Sequence, residues 1–378
     1  MLKTNKKVII RRILKKKSII FLFLFIIDLL GRVNNTVKNI LNKKRIGVIN
    51  LPNGQNVGNI LVKYAMFKKL EELGFNATII TPRLGWNRKV DLSFINRTIN
   101  SHLLTLRASF SELNKNDYDY LILNSDQTWA YFDKKYFFDI AFFKFAKNWK
   151  IKKFIYSTSI GWEKCPFKRK EEKIAKKLLK KFSGISFREK GLINLVEKHL
   201  NIKGEYVLDP TLLIDKEYYL NEIINYKSNL NSSENFIFIY QLNNDKNLER
   251  IIQESKNKFN YKIFNYQLNR SDYIESFIYG IKNCKAVITD SFHGTVFSII
   301  FNKPFIAFIN TEIGKDRFNT LKEVFNLKNR IVDSLKNAFV NIDILLEPLY
   351  INKTLLDELK TFSINYIKKN LDLLWCLQ

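Results

Sequence analysis

Arg45-Ile-Gly-Val-Ile-Asn-Leu51, Pro52-Asn-Gly-Gln-Asn-Val-Gly58 and Asn59-Ile-Leu-Val-Lys-Tyr-Ala-Met-Phe-Lys-Lys-Leu-Glu-Glu-Leu73 follow one another without interruption. The first is an apolar run of strand length, and the second is a loop of turn-forming residues. The third is a helix whose apolar positions include Leu61, Ala65 and Leu70. Gly74 closes the helix, and Asn76 to Thr81 is the next apolar run. Strand, loop, helix and strand in that order make the unit of a parallel sheet, because a parallel neighbour is reached only by a crossover.

The unit recurs along the chain. Strands are expected at Tyr118–Leu123, Lys153–Ser159, Gly184–Phe187 and Glu205–Leu208, with helices at Arg169–Phe182 and Gly191–Leu200. A polar stretch, Ser228 to Asn235, precedes a second series. It comprises strands at Phe236–Tyr240, Tyr261–Tyr266, Ala286–Thr289 and Phe305–Ile309, and helices at Lys246–Lys258, Tyr273–Asn283 and Thr295–Phe301. One or two closing helices are expected between Thr354 and Leu374. The fold class is therefore α/β, with two Rossmann-like domains at 45–227 and 228–378, the latter including the closing helices. A basic, apolar N-terminal extension occupies 1–44. A chain of 378 residues exceeds one ordinary core, which agrees with two domains. Ligands are expected where strand C-termini and helix N-termini face the cleft between them.

Composition narrows the function classes. With 46% apolar and 14% aromatic residues the chain is neither disordered nor collagen-like. Lys+Arg 63 against Asp+Glu 36 gives a net charge of +27, which favours anionic partners: phosphorylated metabolites, acidic lipid or nucleic acid. Residues 1–45 alone carry thirteen Lys or Arg against one acid, Asp28. Within them Ser18 to Leu30 is apolar apart from Asp28 and follows Lys15-Lys16-Lys17. As a helix it would reach about 20 Å, short of the roughly 30 Å hydrocarbon core, so peripheral insertion at an acidic membrane face is expected rather than a span. The alternative is a helix buried against the protein, because Ile19 to Ile27 is apolar all round. Cys165, Cys284 and Cys376 are widely spaced and fit a reducing cytoplasm, with neither a disulfide framework nor a zinc cluster.

Four segments could carry chemistry. The Asn53–Asn59 loop opens a helix whose first amides could meet an anion, though it has neither a Walker nor a G-x-G-x-x-G pattern. Asn124-Ser-Asp-Gln-Thr-Trp129 follows a strand; Asp126 could be a general base, hold a sugar hydroxyl or cap the next element, and Trp129 could stack on a sugar. Arg188, at a strand end, could bind a carboxylate or phosphate through two parallel hydrogen bonds, or form a surface ion pair. Thr289-Asp-Ser-Phe-His-Gly-Thr295 is the strongest: Ser291, His293 and the amides of Gly294 and Thr295 gather at a helix start, suited to an anion and to proton exchange. His102 and His199 sit in less suggestive places, as ordinary surface or helix residues. Asp209-Pro-Thr211 reads as a linker turn.

In order, these segments resemble the polysaccharide pyruvyl transferase family. The matching residues are Gly58-Asn59 with Tyr64-Ala65, Ser125-Asp-Gln-Thr-Trp129, Tyr156-Ser-Thr-Ser-Ile-Gly161, Phe187-Arg-Glu-Lys190, Asp209-Pro-Thr211, and Asp290-Ser-Phe-His-Gly294 with Pro304-Phe305, covering about Arg45 to Leu327. Asn124 stands where a Gly is frequent and Val62 where a polar residue is common, which bears on the acceptor more than on the reaction. The resemblance implies a fold similar to GT-B glycosyltransferases. It also implies transfer of a pyruvyl group from phosphoenolpyruvate to a sugar of a surface polysaccharide or its lipid-linked precursor.

Such a reaction needs an anchored anionic donor, a proton for its methylene carbon and deprotonated sugar hydroxyls. His293 is the expected acid–base group, with Asp126 or Asp290 orienting the sugar or acting as base. Arg188, the helix start at Gly294 and the Gly58 turn are expected to anchor the donor, and Asn59, Ser125, Gln127, Trp129, Ser291 and Thr295 to complete the binding surface. No cofactor or metal is required. Two rivals stand beside this reading: a GT-B glycosyltransferase using a nucleotide sugar, and a non-catalytic nucleic-acid-binding protein. Much of the excess charge lies in the extension and no ordered base-recognition motif is present, so no nucleic-acid partner is expected.

Overall fold

The computed structural model describes residues 43–52, 56–83, 92–107, 113–130, 135–161, 167–227, 235–266, 272–309 and 314–373. The membrane reading of the basic extension therefore falls almost wholly outside the described residues, as do Asn53 to Gln55 of the first loop and both Cys165 and Cys376. Among the described residues no helix is long and apolar enough to cross a membrane.

The first domain alternates β1 (Arg45–Ile49), α1 (Val57–Glu72), β2 (Asn76–Arg83), α2 (Ser93–Thr98), β3 (Ser101–Arg107), β4 (Tyr120–Leu123), α3 (Lys135–Ala141), β5 (Lys152–Thr158), α4 (Arg169–Leu179), β6 (Gly184–Phe187), α5 (Lys190–Leu200) and β7 (Glu205–Tyr206). Its seven strands lie in the order β3-β2-β1-β4-β5-β6-β7, all parallel. Every residue of Ile46–Ile49 and Tyr120–Leu123 is buried, the continuous apolar pattern of strands covered on both faces. A turn at Pro210–Leu212 and α6 (Lys216–Asn221) lead out of it.

The second domain holds β8 (Phe236–Tyr240), α7 (Lys246–Lys258), β9 (Lys262–Asn265), α8 (Tyr273–Asn283), β10 (Ala286–Thr289), α9 (Phe292–Ile300), β11 (Phe305–Phe308), α10 (Lys315–Val324), β12 (Ile331–Val332) and α11 (Leu335–Val340). Its parallel sheet runs β12-β11-β10-β8-β9. Each sheet reverses its winding once, between β1 and β4 and between β8 and β10. Crevices open beyond the C-terminal ends of strands at such reversals. Asn124 to Asp126 and the start of α1 lie at the first reversal, and Asp290 to His293 at the second.

The domains are pinned together by one continuous apolar cluster that runs through α1. Tyr64 of α1 packs on Tyr219 of α6 with ring centroids 5.9 Å apart, and Tyr219 packs on Phe297 of α9 at 4.9 Å. Arg97 of α2 reaches across to Glu275 of α8 at 2.8 Å. α1 is accordingly buried nearly all round, not along one stripe.

Besides helices α2, α3, α6, α10 and α11 and strand β12, which were not expected, the structure departs from the sequence expectations in three places. β3 was not expected; its polar–apolar alternation is short, and it lies at a sheet edge where one side needs no partner. His102 belongs to this strand. α9 begins at Phe292 instead of Thr295, because Ser291 caps it three residues earlier. The closing helix α12 (Lys353–Asn370) follows the second domain in sequence but packs on the first: Tyr366 Oη donates to Ile155 O at 2.8 Å, and Ser363 Oγ accepts from Leu208 N at 3.0 Å.

Candidate active site

The cleft gathers its polar side chains around Asp209. This carboxylate caps the turn Pro210–Leu212, its Oδ1 accepting from Thr211 N at 3.0 Å and Thr211 Oγ1 at 2.7 Å. Its other oxygen, Oδ2, accepts from Arg188 Nη1 at 2.9 Å and from Ser125 Oγ at 3.3 Å. His293 Nε2 stands 3.5 Å from the same oxygen. Asp209 was expected to be a linker turn; the matching Asp-Pro-Thr in the family resemblance was the signal that marked it. All three side chains are nearly inaccessible: Arg188 is 3% exposed, Asp209 2% and His293 6%.

Burial pushes the Asp209 carboxyl up, but His293, Arg188 and Thr211 outweigh it and hold it well below the usual carboxylate range. Burial likewise works against the charge of Arg188, and Asp209, Glu189 and Asp126 overcome it, so its guanidinium is pushed up. Arg188 lies 4.4 Å over the Phe292 ring, which fixes its plane. Its Nε and Nη2 and the Nε2 of His293 are buried with no hydrogen-bond partner in the protein. Buried polar atoms without partners are costly, and three such nitrogens around one carboxylate, two of them guanidinium donors, suit a ligand rich in acceptor oxygens.

Gly58 explains its own identity here. A Cβ on it would stand 1.9 Å from His293 Nδ1, so the imidazole is seated against the bare backbone of α1. The expected anion cradle is corrected on this side, since Gly58 N already donates to the capping Asn56 Oδ1 at 2.8 Å. The same correction applies to the helix start at Gly294. Its amide donates to Ser291 Oγ at 3.3 Å, and Thr295 N donates to Ser291 O at 3.0 Å while Thr295 Oγ1 donates to that carbonyl at 3.1 Å. Ser291 and Thr295 thus serve the helix cap, and Gly294 lets that turn approach Thr289, whose Oγ1 would lie 2.3 Å from a Cβ.

Two further expectations are corrected. Trp129 cannot stack on a sugar: it is fully buried among Phe142, Phe167 and Phe187. Asp290 is not placed as a base, because Oδ1 accepts from Leu242 N at 2.7 Å and Oδ2 from Asn243 N at 2.9 Å and Asn243 Nδ2 at 3.0 Å. It clamps the loop after β8 beside the cleft.

Asp126 remains. It adopts φ +118°, a region that L-residues rarely visit, and the chain there bridges to Thr158 at the end of β5. Its Oδ1 accepts from Gln127 N at 2.8 Å and its Oδ2 from Asn59 Nδ2 at 3.1 Å. Asp126, Asn59 and Gln127 are half-buried, more open to solvent than Arg188, Asp209 and His293. Gln127 lies against Gly161, where a Cβ would be 2.4 Å from Nε2. Below Asn59 sits a residue the sequence reading did not single out. Lys63 is fully buried and donates to Asn59 Oδ1 at 2.7 Å. Burial pushes its ammonium down to about 7, against the raising pull of Asp126. His199 lies elsewhere, on α5 beside Glu172. Among the described residues no group of three or more His, Cys, Asp or Glu side chains is arranged to hold a metal ion.

Solved structures share this architecture at low sequence identity. UDP-GlcNAc 2-epimerase from Neisseria meningitidis bound to UDP-GlcNAc superposes with a TM-score of 0.53 at 10% identity, covering 86% of this chain and 100% of the other. UDP-N-acetylglucosamine 2-epimerase from Rickettsia bellii gives 0.51 at 11%, covering 89% and 97%. The S. aureus MnaA–UDP structure gives 0.50 at 13%, covering 87% and 97%. These likenesses establish a GT-B-like fold. No curated protein sequence matches significantly. The family model of polysaccharide pyruvyl transferase matches residues 56–312, a span that contains Gly58, Asp126, Arg188, Asp209 and His293. The chain, an enzyme with its charged groups gathered between two Rossmann-like domains, belongs to the polysaccharide pyruvyl transferase family.

Proposed function

We propose that the protein transfers the pyruvyl group of phosphoenolpyruvate to two hydroxyls of a sugar, in a polysaccharide or its lipid-linked precursor, forming a ketal and releasing phosphate. The observation that carries this reading is the set of buried, unpartnered nitrogens on Arg188 and His293, on either side of one Asp209 oxygen. A small donor with a carboxylate and a phosphate supplies the acceptor oxygens that these groups lack.

In this reading Arg188 grips the anionic donor through Nε and Nη2 while Nη1 stays on Asp209. His293 Nε2, too far from Asp209 for a strong hydrogen bond, faces the donor and protonates its methylene carbon, polarising C2 toward attack. Asp126, at the half-buried mouth, accepts a hydroxyl proton from the sugar. Two C–O bonds form at C2 and the bond to the phosphate oxygen breaks. Of the two hydroxyl protons, one replaces that given to the methylene carbon and the other leaves with phosphate. Asp209 remains an ionised acceptor that orients both cationic groups.

The test is release of inorganic phosphate from phosphoenolpyruvate that depends on an added cell-envelope glycan. The glycan must gain the mass of pyruvic acid less one water. Nucleotide release from a UDP- or GDP-sugar, with phosphoenolpyruvate inert, would replace this reading by glycosyl transfer.

A further inference from the structure

The α1 helix contributes a buried cation to the acceptor side of the cleft. Lys63 Nζ donates to Asn59 Oδ1 at 2.7 Å, and Asn59 Nδ2 donates to Asp126 Oδ2 at 3.1 Å. Lys63 and Asn59 are one turn apart, the i,i+4 spacing that brings side chains together on one helix face. An ammonium has three donors and no acceptor, so whichever end of the Asn59 amide faces it must be the oxygen. That leaves the NH₂ end, and no other, for Asp126. With the ammonium on Oδ1 and the carboxylate on Nδ2, Lys63 and Asp126 hold the Asn59 amide in one orientation from its two ends.

We infer that Lys63 is a positioning residue for pyruvyl transfer, acting through Asn59 to hold Asp126 as a correctly aimed proton acceptor for the sugar hydroxyl. The inference rests on the reading of Asp126 given above. A second observation supports it. A fully buried lysine is expensive to keep, and a methionine of similar shape would fill the space without that cost. Retaining charge at this place, behind a residue held at φ +118°, is the pattern of a site that accepts local strain for function.

The environment of Lys63 is specific. Charged and titratable groups on the segments packed against α1 include Asp209 at the turn Pro210–Leu212, Arg97 on α2, Arg83 at the end of β2, Glu222 after α6, Glu275 and the exposed Lys282 on α8, and His293 on α9. Arg97 is satisfied by Glu275 and Glu222, and His293 faces Asp209. The charge acting on Lys63 is that of Asp126, which raises an ammonium that burial has pushed down to about 7.

Two variants separate the roles of charge and orientation. Lys63→Met removes both; Lys63→Gln keeps a donor for Asn59 Oδ1 without the charge. Expected for Lys63→Met is a fall of about 10²-fold in kcat with the KM for phosphoenolpyruvate unchanged, because the Arg188 side is untouched. The acid limb of its kcat profile should move to higher pH. Lys63→Gln should regain part of kcat but keep the displaced limb. Wild-type kcat and pH profile in Lys63→Met overturns the inference. So does an equal loss in kcat and donor KM in both variants, which is the mark of general collapse. A third arm needs no turnover: in protein labelled with [15N]lysine, the Lys63 signal, identified by its loss in Lys63→Met, should titrate at lower pH in Asp126→Asn than in wild type. An unchanged midpoint breaks the Lys63–Asp126 link. Failure of the wild type to form a ketal would instead sink the pyruvyl reading, and this arm would still report on the pair.

Discussion

Arg188 and His293 reach the same atom from opposite domains: Nη1 of the arginine lies 2.9 Å from Asp209 Oδ2, and Nε2 of the histidine lies 3.5 Å from it. A guanidinium following β6 and an imidazole at the start of α9 are thereby tied to one carboxylate at the domain boundary. The shorter contact is a charge-assisted hydrogen bond, and the longer one leaves the imidazole available to a ligand.

His293→Ala should cut kcat for phosphate release by about 10²–10⁴-fold, the usual contribution of a positioned acid or base. Asp209 keeps its bond to Arg188 in this variant, so the protein should still fold and melt cooperatively. Turnover close to wild type in a folded His293→Ala protein would remove the imidazole from the chemistry.

Arg188 cannot be tested by truncation alone. With Asp209 fully buried, Arg188→Ala strands a carboxylate in the core, and breaking one side of a buried pair costs about 3–5 kcal/mol. The decisive protein is Arg188→Met with Asp209→Asn. The Asn still accepts at Oδ1 from Thr211, and no unpaired charge remains. Urea denaturation should show much of the lost stability restored in the double variant, while calorimetry shows no phosphoenolpyruvate binding. Donor affinity restored together with stability would mean that Arg188 is only structural.

Asp209 also sets an acid limit on the fold. Its carboxyl is depressed in the native state below the value of about 3.9 expected of an unfolded chain. Its pairing therefore contributes fully above that value, and the contribution is lost as pH falls from there through the native pKa. Urea midpoints measured from pH 5 to pH 2.5 should fall more steeply for wild type than for Asp209→Asn, which has no proton to gain at this position. Parallel curves would show that Asp209 is not held ionised.

The two sheets were legible in the sequence because their central strands are buried on both faces and read as unbroken apolar runs, as in Phe236–Tyr240 and Ala286–Thr289. β3 was not, since Ser101-His-Leu-Leu-Thr-Leu-Arg107, at the sheet edge, offers neither an unbroken apolar run nor strict alternation. The same split holds in the cleft. His293 and Arg188 stand at strand or helix ends, where composition and order point to chemistry. Asp209 was hidden behind a turn that its Pro and Thr explain equally well. Lys63 was hidden on a helix, because nothing local tells a buried lysine from one in solvent. Trp129 misled for the opposite reason: a tryptophan at the end of a loop motif can stack on a sugar or fill a core, and the phenylalanines that decide between them come from the turn after α3, from β6 and from the segment before α4.

Gly58→Ala offers the sharpest separation of helix stability from site geometry. In an unencumbered helix alanine is favoured over glycine, by about 1 kcal/mol in the interior and by less in the first turn, where Gly58 stands. Here the new Cβ would lie 1.9 Å from His293 Nδ1, so the ring must move and Nε2 leaves its place beside Asp209. The single variant should retain its far-UV helical signal and lose about 10²-fold in kcat, the scale of a misplacement of about 1 Å. The stability effect should then reverse with the neighbour removed. In a His293→Ala background there is no ring to strike, and Gly58→Ala should stabilise the protein, so the two substitutions are strongly non-additive in a urea double-mutant cycle. Additive effects would place the imidazole away from Gly58, and with it away from the carboxylate it is meant to serve.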